Sequence, residues 1–134
     1  MPDIQMVRWA EADDAGKLMI NTKPRPFLMK CSEGTGEGLL SSNGFGADII
    51  HFGAGRGVGS HIHEGDHILF VLAGEGYVTY CKERYELKPG VAYFVPGEIA
   101  HAIDATTDLV LIAVGNKHVP VDSTKRMDLV AHDK

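Results

Sequence analysis

The chain has little of what would place it outside the cell, in a membrane or on nucleic acid. Only two of its 134 residues are cysteines, Cys31 and Cys81. That is too few for a disulfide framework, and no Cys-x-x-Cys pattern occurs. Both are expected as reduced thiols, with Cys81 packed in the core. No basic cluster occurs either, since 13 Lys and Arg stand against 18 Asp and Glu for a formal net charge of −5. A nucleic-acid surface needs a basic stripe to offset phosphates, so nucleic acid is excluded as a partner. No apolar run approaches the roughly 18 residues of a membrane span. The acidic N-terminal region, with Asp3, Glu11, Asp13 and Asp14, holds no apolar signal core, and a cytoplasmic protein is expected. No segment shows a 3.6-residue apolar period, which leaves little room for helix.

What the chain does have is glycine, short strand-like runs and histidine. Hydrophobic residues at 44% and charged residues at 23% are ordinary globular values. A length of 134 residues suits one domain with a buried core, residues 1–134. Sixteen glycines fit many tight turns. Strands are expected at residues 4–10, 17–20, 27–31 and 47–52, with a glycine-rich turn at 32–38. The glycine-rich stretch 53–59 is followed by no Lys-Ser/Thr pair and opens no helix, so it reads as a bend and not a phosphate loop. Residues 67–72 and 77–81 are expected to form a hairpin about the turn Ala73-Gly74-Glu75-Gly76. Lys88-Pro89-Gly90 has the residues of a type II turn. Strands at 91–95, 101–104 and 108–114 follow, and then a polar tail with Met127, Leu129 and Val130 as anchors. Short strands at intervals of about ten residues point to a sandwich or barrel.

Four histidines stand among these strands. His61 and His63 bracket one residue, so a strand turns both to one face. The polar turn Glu64-Gly65-Asp66 brings His67 back toward that face, and His101 follows Pro96. Imidazole is the commonest protein ligand for zinc, copper, nickel and iron. Four of them from three segments point to one mononuclear metal site, with His67 either a fourth ligand or a group behind three. Strand parity then nominates apolar pocket walls: Leu69 and Val71 with His67, Ile103 with His101, and on the last strand either Leu109, Leu111 and Ala113 or the alternating set. Of these, Leu69, Val71, Ile103 and Ala113 are the expected substrate contacts. Glu64, Asp66 and Glu98 read as solvated turn carboxylates. His51 reads as strand surface, His118 and His132 as tail surface, and Tyr77, Tyr80, Tyr85 and Tyr93 as barrel or interface aromatics.

The pattern Gly55-x5-His61-x-His63-x3-His67-x6-Gly74, followed by Gly90-x5-Pro96-x4-His101, resembles the two motifs of the cupin superfamily. His67 stands where the first motif has glutamate. In the second, Glu98 replaces a glycine, with Gly97 beside it, and Ala105 replaces an asparagine. The glutamate-to-histidine change makes the chain similar to small single-domain cupins with an all-histidine site. The resemblance implies an all-β jelly-roll barrel, with residues of about 25–115 as its core and flanking N-terminal strands and C-terminal tail. It implies a divalent transition metal (Fe, Mn, Ni, Cu or Zn) and a small-molecule substrate. It also implies a homodimer, in which the apolar N-terminal residues Ile4, Val7, Trp9, Leu18 and Ile20 would find partners.

Among such proteins, a metal-dependent dioxygenase-type oxidoreductase is the expected function. Four neutral imidazoles leave a divalent ion its full charge, which favours enol, diketone or catechol-like substrates. A redox-neutral isomerase, cyclase or lyase acting on a sugar, uronate or polyketide is the alternative. A non-catalytic small-molecule-binding barrel is the third reading.

Overall fold

The structure, a computed structural model, describes residues 4–20, 25–26, 32–117 and 128–129. Its elements are all strands: β1 (Ala10–Ala12), β2 (Leu18–Ile20), β3 (Arg25–Pro26), β4 (Thr35–Ser42), β5 (Phe45–Phe52), β6 (Gly57–Ile62), β7 (His67–Ala73), β8 (Gly76–Tyr80), β9 (Glu83–Leu87), β10 (Ala92–Val95), β11 (His101–Ala105), β12 (Leu109–Gly115) and β13 (Asp128–Leu129). Strands β1 and β2 form a separate hairpin. The others make a six-stranded sheet, β10-β7-β12-β5-β4-β3, and a five-stranded sheet, β13-β6-β11-β8-β9. Each named pairing is antiparallel. From β5 to β12 every connection except β8–β9 passes from one sheet to the other, which is the wrapping of a jelly roll.

This crossing overturns the expected hairpin of residues 67–72 with 77–81. β7 pairs with β10 and β12 in one sheet, and β8 pairs with β11 and β9 in the other. The true hairpins turn elsewhere. Asn43 and Gly44 (φ 52 and 75) join β4 to β5, and Cys81 and Lys82 (φ 51 and 66) join β8 to β9. Two consecutive positive φ values are the signature of the turn whose twist matches paired strands. Cys81 is therefore exposed at a turn, not packed in the core. The expected turn at 32–38 is largely strand, because β4 begins at Thr35 and pairs with β5. At the N-terminus the strand occupies 10–12, and residues 4–9 are irregular. The turn at Lys88-Pro89-Gly90 holds, with Gly90 at φ 94 and the Val91 amide donating to the Lys88 carbonyl. The expected strand 27–31 and the tail anchors Met127 and Val130 lie outside the described residues.

The core fills the space between the sheets. On β12 the alternation is clean, with Leu109, Leu111 and Ala113 buried and Val110, Ile112 and Val114 half-buried. Ile50, Phe52, Leu69, Val71, Val78, Leu87, Val95 and Ile103 meet them from the other strands. On β6 both Val58 and His61 are buried, although three residues apart. A strict period of two would turn them to opposite faces. A register shift between β6 and β11, where His101 faces His61 and Ile103 faces Val58, supplies the extra residue.

Candidate metal centre

His61 and His101 are cross-strand partners on adjacent strands of the five-stranded sheet, each only 4% exposed. Their rings meet edge to face with centroids 4.3 Å apart. His63 follows the end of β6, where its amide donates to the Gly97 carbonyl. His67 opens β7 in the opposite sheet. Both are half-buried.

The turn that carries His63 and His67 depends on glycine for close approach. A Cβ at Gly97 would collide with the Gly65 and His63 carbonyls and come within 2.6 Å of His63 Nδ1. A Cβ at Gly115, directly across from His67, would strike the Asp66 carbonyl and come within 2.6 Å of the His67 ring. Asp66 ties the turn down further, accepting from the Gly97 amide at 3.1 Å while its own amide donates to Asn116 at 2.8 Å.

The hydrogen bonds fix which imidazole nitrogen faces inward. Nδ1 of His61 lies 2.8 Å from the Gly59 carbonyl, Nδ1 of His101 lies 2.8 Å from the Ile99 carbonyl, and Nδ1 of His63 lies 3.1 Å from the Gly65 carbonyl. A carbonyl oxygen only accepts, so each Nδ1 carries a proton. In the neutral ring Nε2 is then a lone pair. Burial, aided by the neighbouring His63 and opposed by the Ile99 carbonyl, lowers the His101 pKa to about 4 and holds the ring neutral.

Nitrogen donors of His61, His63 and His101 all lie within 4.8 Å of one another. The His63 and His101 Nε2 atoms are 3.1 Å apart. Two nitrogens each about 2.1 Å from one ion, at tetrahedral or right angles, would be separated by roughly 3.0–3.4 Å. Two lone pairs facing at this distance repel unless a proton or a cation lies between them. The donor set therefore fits a divalent transition ion. His67 is not one of this trio, but its Nδ1 lies 3.3 Å from His63 Nε2, and the two rings meet edge to face.

The histidines close one end of a small cavity of about 60 Å³. Leu69, Ile103 and Ala113 line it, with Ile50, Phe52, Val58 and Val95. Val71 is buried one inward step beyond Leu69, in the core and outside the cavity wall. Ser32, Glu64, Tyr93 and Lys117 complete the lining. Among the buried polar groups that escaped the sequence reading are Tyr93 and Asp48. Tyr93, expected only as a barrel aromatic, puts a hydroxyl into the interior with no hydrogen-bond partner among the described residues. Asp48 is 1% exposed in the inward row with Ile50 and Phe52, though it does not line the cavity. Alternation on β5 and β10 could have flagged both residues as inward.

A family model for the cupin domain matches residues 48–115, just over half of the chain. The protein is a member of the cupin family. Among solved structures, the polyketide cyclase RemF from Streptomyces resistomycificus is 17% identical with a TM-score of 0.68, covering 83% of this chain and 82% of that one. A predicted oxalate decarboxylase from Thermotoga maritima is 28% identical with a TM-score of 0.62, covering 69% and 90%. A salicylate 1,2-dioxygenase from Pseudoaminobacter salicylatoxidans is 17% identical with a TM-score of 0.59, covering 62% of this cupin and 26% of the longer chain. No curated protein sequence gives a significant match. No helix among the described residues is long and apolar enough to cross a membrane.

Proposed function

We propose that this cupin is a metal-dependent enzyme acting on a small organic molecule, as a dioxygenase-type oxidoreductase. The observation that carries the reading is the convergence of three carbonyl-anchored imidazoles on one end of an apolar cavity. We assign His61, His63 and His101 as ligands with His67 as the fourth, and Fe, Mn, Ni, Cu or Zn as the ion. When bound, a divalent ion among neutral imidazoles keeps its full charge and supplies Lewis acidity toward an enol, diketone or catechol-like oxygen, together with redox chemistry toward dioxygen if it is redox-active. The chain's own part is positional. The carbonyl contacts keep each Nε2 unprotonated and aimed, and Leu69, Ile103 and Ala113 exclude water from the reacting end.

A redox-neutral isomerase, cyclase or lyase is the second reading. It is favoured by Glu64 and Lys117 in the cavity lining, a carboxylate and an ammonium able to grip a polar substrate. The fold does not choose, since the similar structures include both a cyclase and a dioxygenase. Metal analysis of the purified protein, with oxygen-uptake screening across diketones, phenols and uronates, tests the proposal. Metal-dependent oxygen consumption supports it. Product formed without oxygen consumption moves the protein to the second reading, and metal loading with no turnover makes it a binding barrel.

The same reading takes residues 1–134 as one domain that works as a cytoplasmic homodimer. The exposed Cys81 thiol suits a reducing compartment. On the outer face of the six-stranded sheet, Phe94, Ile68, Val114, Ala47 and Leu40 form one continuous cross-strand row. Phe94 is 58% exposed and Ile68 44%. The N-terminal hairpin adds exposed Leu18, Met19 and Ile20. So much outward apolar surface fits burial against a second copy. Sedimentation should find a dimer that Phe94→Glu converts to monomer, and a wild-type monomer at micromolar concentration ends this part of the reading.

A further inference from the structure

Tyr93 lies on β10 directly opposite Leu69, and Leu69 in turn faces Ala113 on β12. All three line the cavity that the histidines close. Val95, one inward step along β10, pairs with His67. The Tyr93 side chain thus stands one inward step, about 6.7 Å of strand, from the His67 row. Its hydroxyl is closed to water from the cavity as well as from outside and has no hydrogen-bond partner among the described residues, so it meets a ligand only when a side chain of the wall shifts. Leu69, Val95, Phe52 and Ala113 in the same lining offer it no polar atom of their side chains. Leaving a buried hydroxyl unpaired lowers stability, because its water hydrogen bonds are lost and not replaced. A phenylalanine would fill the same space without that cost. Burial also raises the Tyr93 pKa, so the group stays protonated and can donate.

We infer that Tyr93 is the positioning residue for the substrate, its hydroxyl donating a hydrogen bond to a ligand oxygen that enters the cavity. This rests on the metal-centre reading and narrows it. The ligand is a small, mostly apolar anion with two oxygens, one for the histidine end and one for Tyr93. The cavity of about 60 Å³ holds on the order of five water molecules at roughly 10–15 Å³ each, which excludes a polycyclic substrate without rearrangement of the walls.

The test uses the whole protein loaded with cobalt(II), whose visible bands report ligands that reach the ion. Acetate, with two oxygens, and imidazole, with no acceptor oxygen, are titrated into wild type and Tyr93→Phe. The variant is expected to take up the same cobalt, melt no lower than wild type, and bind imidazole within about twofold. Its acetate affinity should fall about tenfold, the scale of a hydrogen bond to a charged acceptor. Equal acetate affinities overturn the inference and leave the metal centre standing. Equal losses for acetate and imidazole overturn it as well, since they mean a damaged cavity and not a lost contact. A lower melting temperature overturns it by showing that the hydroxyl has a partner within the protein. Failure of the wild type to take up cobalt overturns the metal-centre reading and this inference together.

Discussion

The four histidines divide into two pairs with different mechanical support. His61 and His101 sit inside paired strands, 4% exposed, each with its ring anchored to a carbonyl two residues earlier. His63 and His67 flank the turn Glu64–Asp66, half-buried, and are held by glycines that let backbone and ring come close. The contrast teaches where the centre is rigid and where it is adjustable. Removing a strand histidine leaves a buried gap between sheets that cannot shift. The turn pair has more freedom to re-aim, because His63 lies beyond the end of β6 and His67 stands at the first position of β7.

The comparison breaks most visibly at the strand pair. His61→Ala and His101→Ala should each lower metal affinity by about 100-fold or more, beyond the 10–100-fold cost typical of changes behind a ligand. Metal stoichiometry after gel filtration reads this, with far-UV circular dichroism confirming that the β signal survives. Full metal occupancy in either variant would remove these residues from the centre.

The next effect is pH-dependent and concerns the metal-free protein. An unfolded His101 takes up its proton near 6.5, whereas the folded one does so only near 4. Between these values the unfolded state binds more protons. Stability fully present above about pH 6.5 should therefore drain away as pH falls toward about 4, by up to about 3 kcal/mol at about 1.4 kcal/mol per unit. Urea midpoints across that window measure it, and a flat profile would mean that His101 is not held neutral by burial.

The turn pair should respond more mildly. Gly115→Ala drives a methyl into the Asp66 carbonyl and the His67 ring. It should cost about 1–3 kcal/mol of stability by overpacking, and it should weaken metal binding no more than His67→Ala does. That last variant carries the smallest effect, a loss of about tenfold in metal affinity, while His67→Glu retains the metal and alters activity more than affinity. Isothermal titration of His67→Ala sharpens the contrast. Affinity equal to wild type makes the centre a three-histidine one, and a loss as large as that of His101→Ala erases the difference between the pairs.

Alternation and turn chemistry made much of this protein legible in its residues alone. The alternation of β12, the turn at Pro89-Gly90 and the all-β class follow from side-chain period and backbone freedom, which are local properties, but which of the two β12 sets faces inward was decided only by packing. The histidine spacing singled out the residues that the fold brings together. Period two tells which face a residue takes but not which sheet its strand joins. For that reason β7 and β8 looked like a hairpin, and β4 like a glycine turn. Cys81 and Lys82 carry no turn signature, and only the pairing of β8 with β9 forces their positive φ values. The separation of His67 from the trio of His61, His63 and His101, and the closed, unpartnered hydroxyl of Tyr93, were settled by packing between the two sheets. Distances across a barrel depend on twist, register shifts and close glycine contacts, and none of these is written in the spacing of residues along one strand.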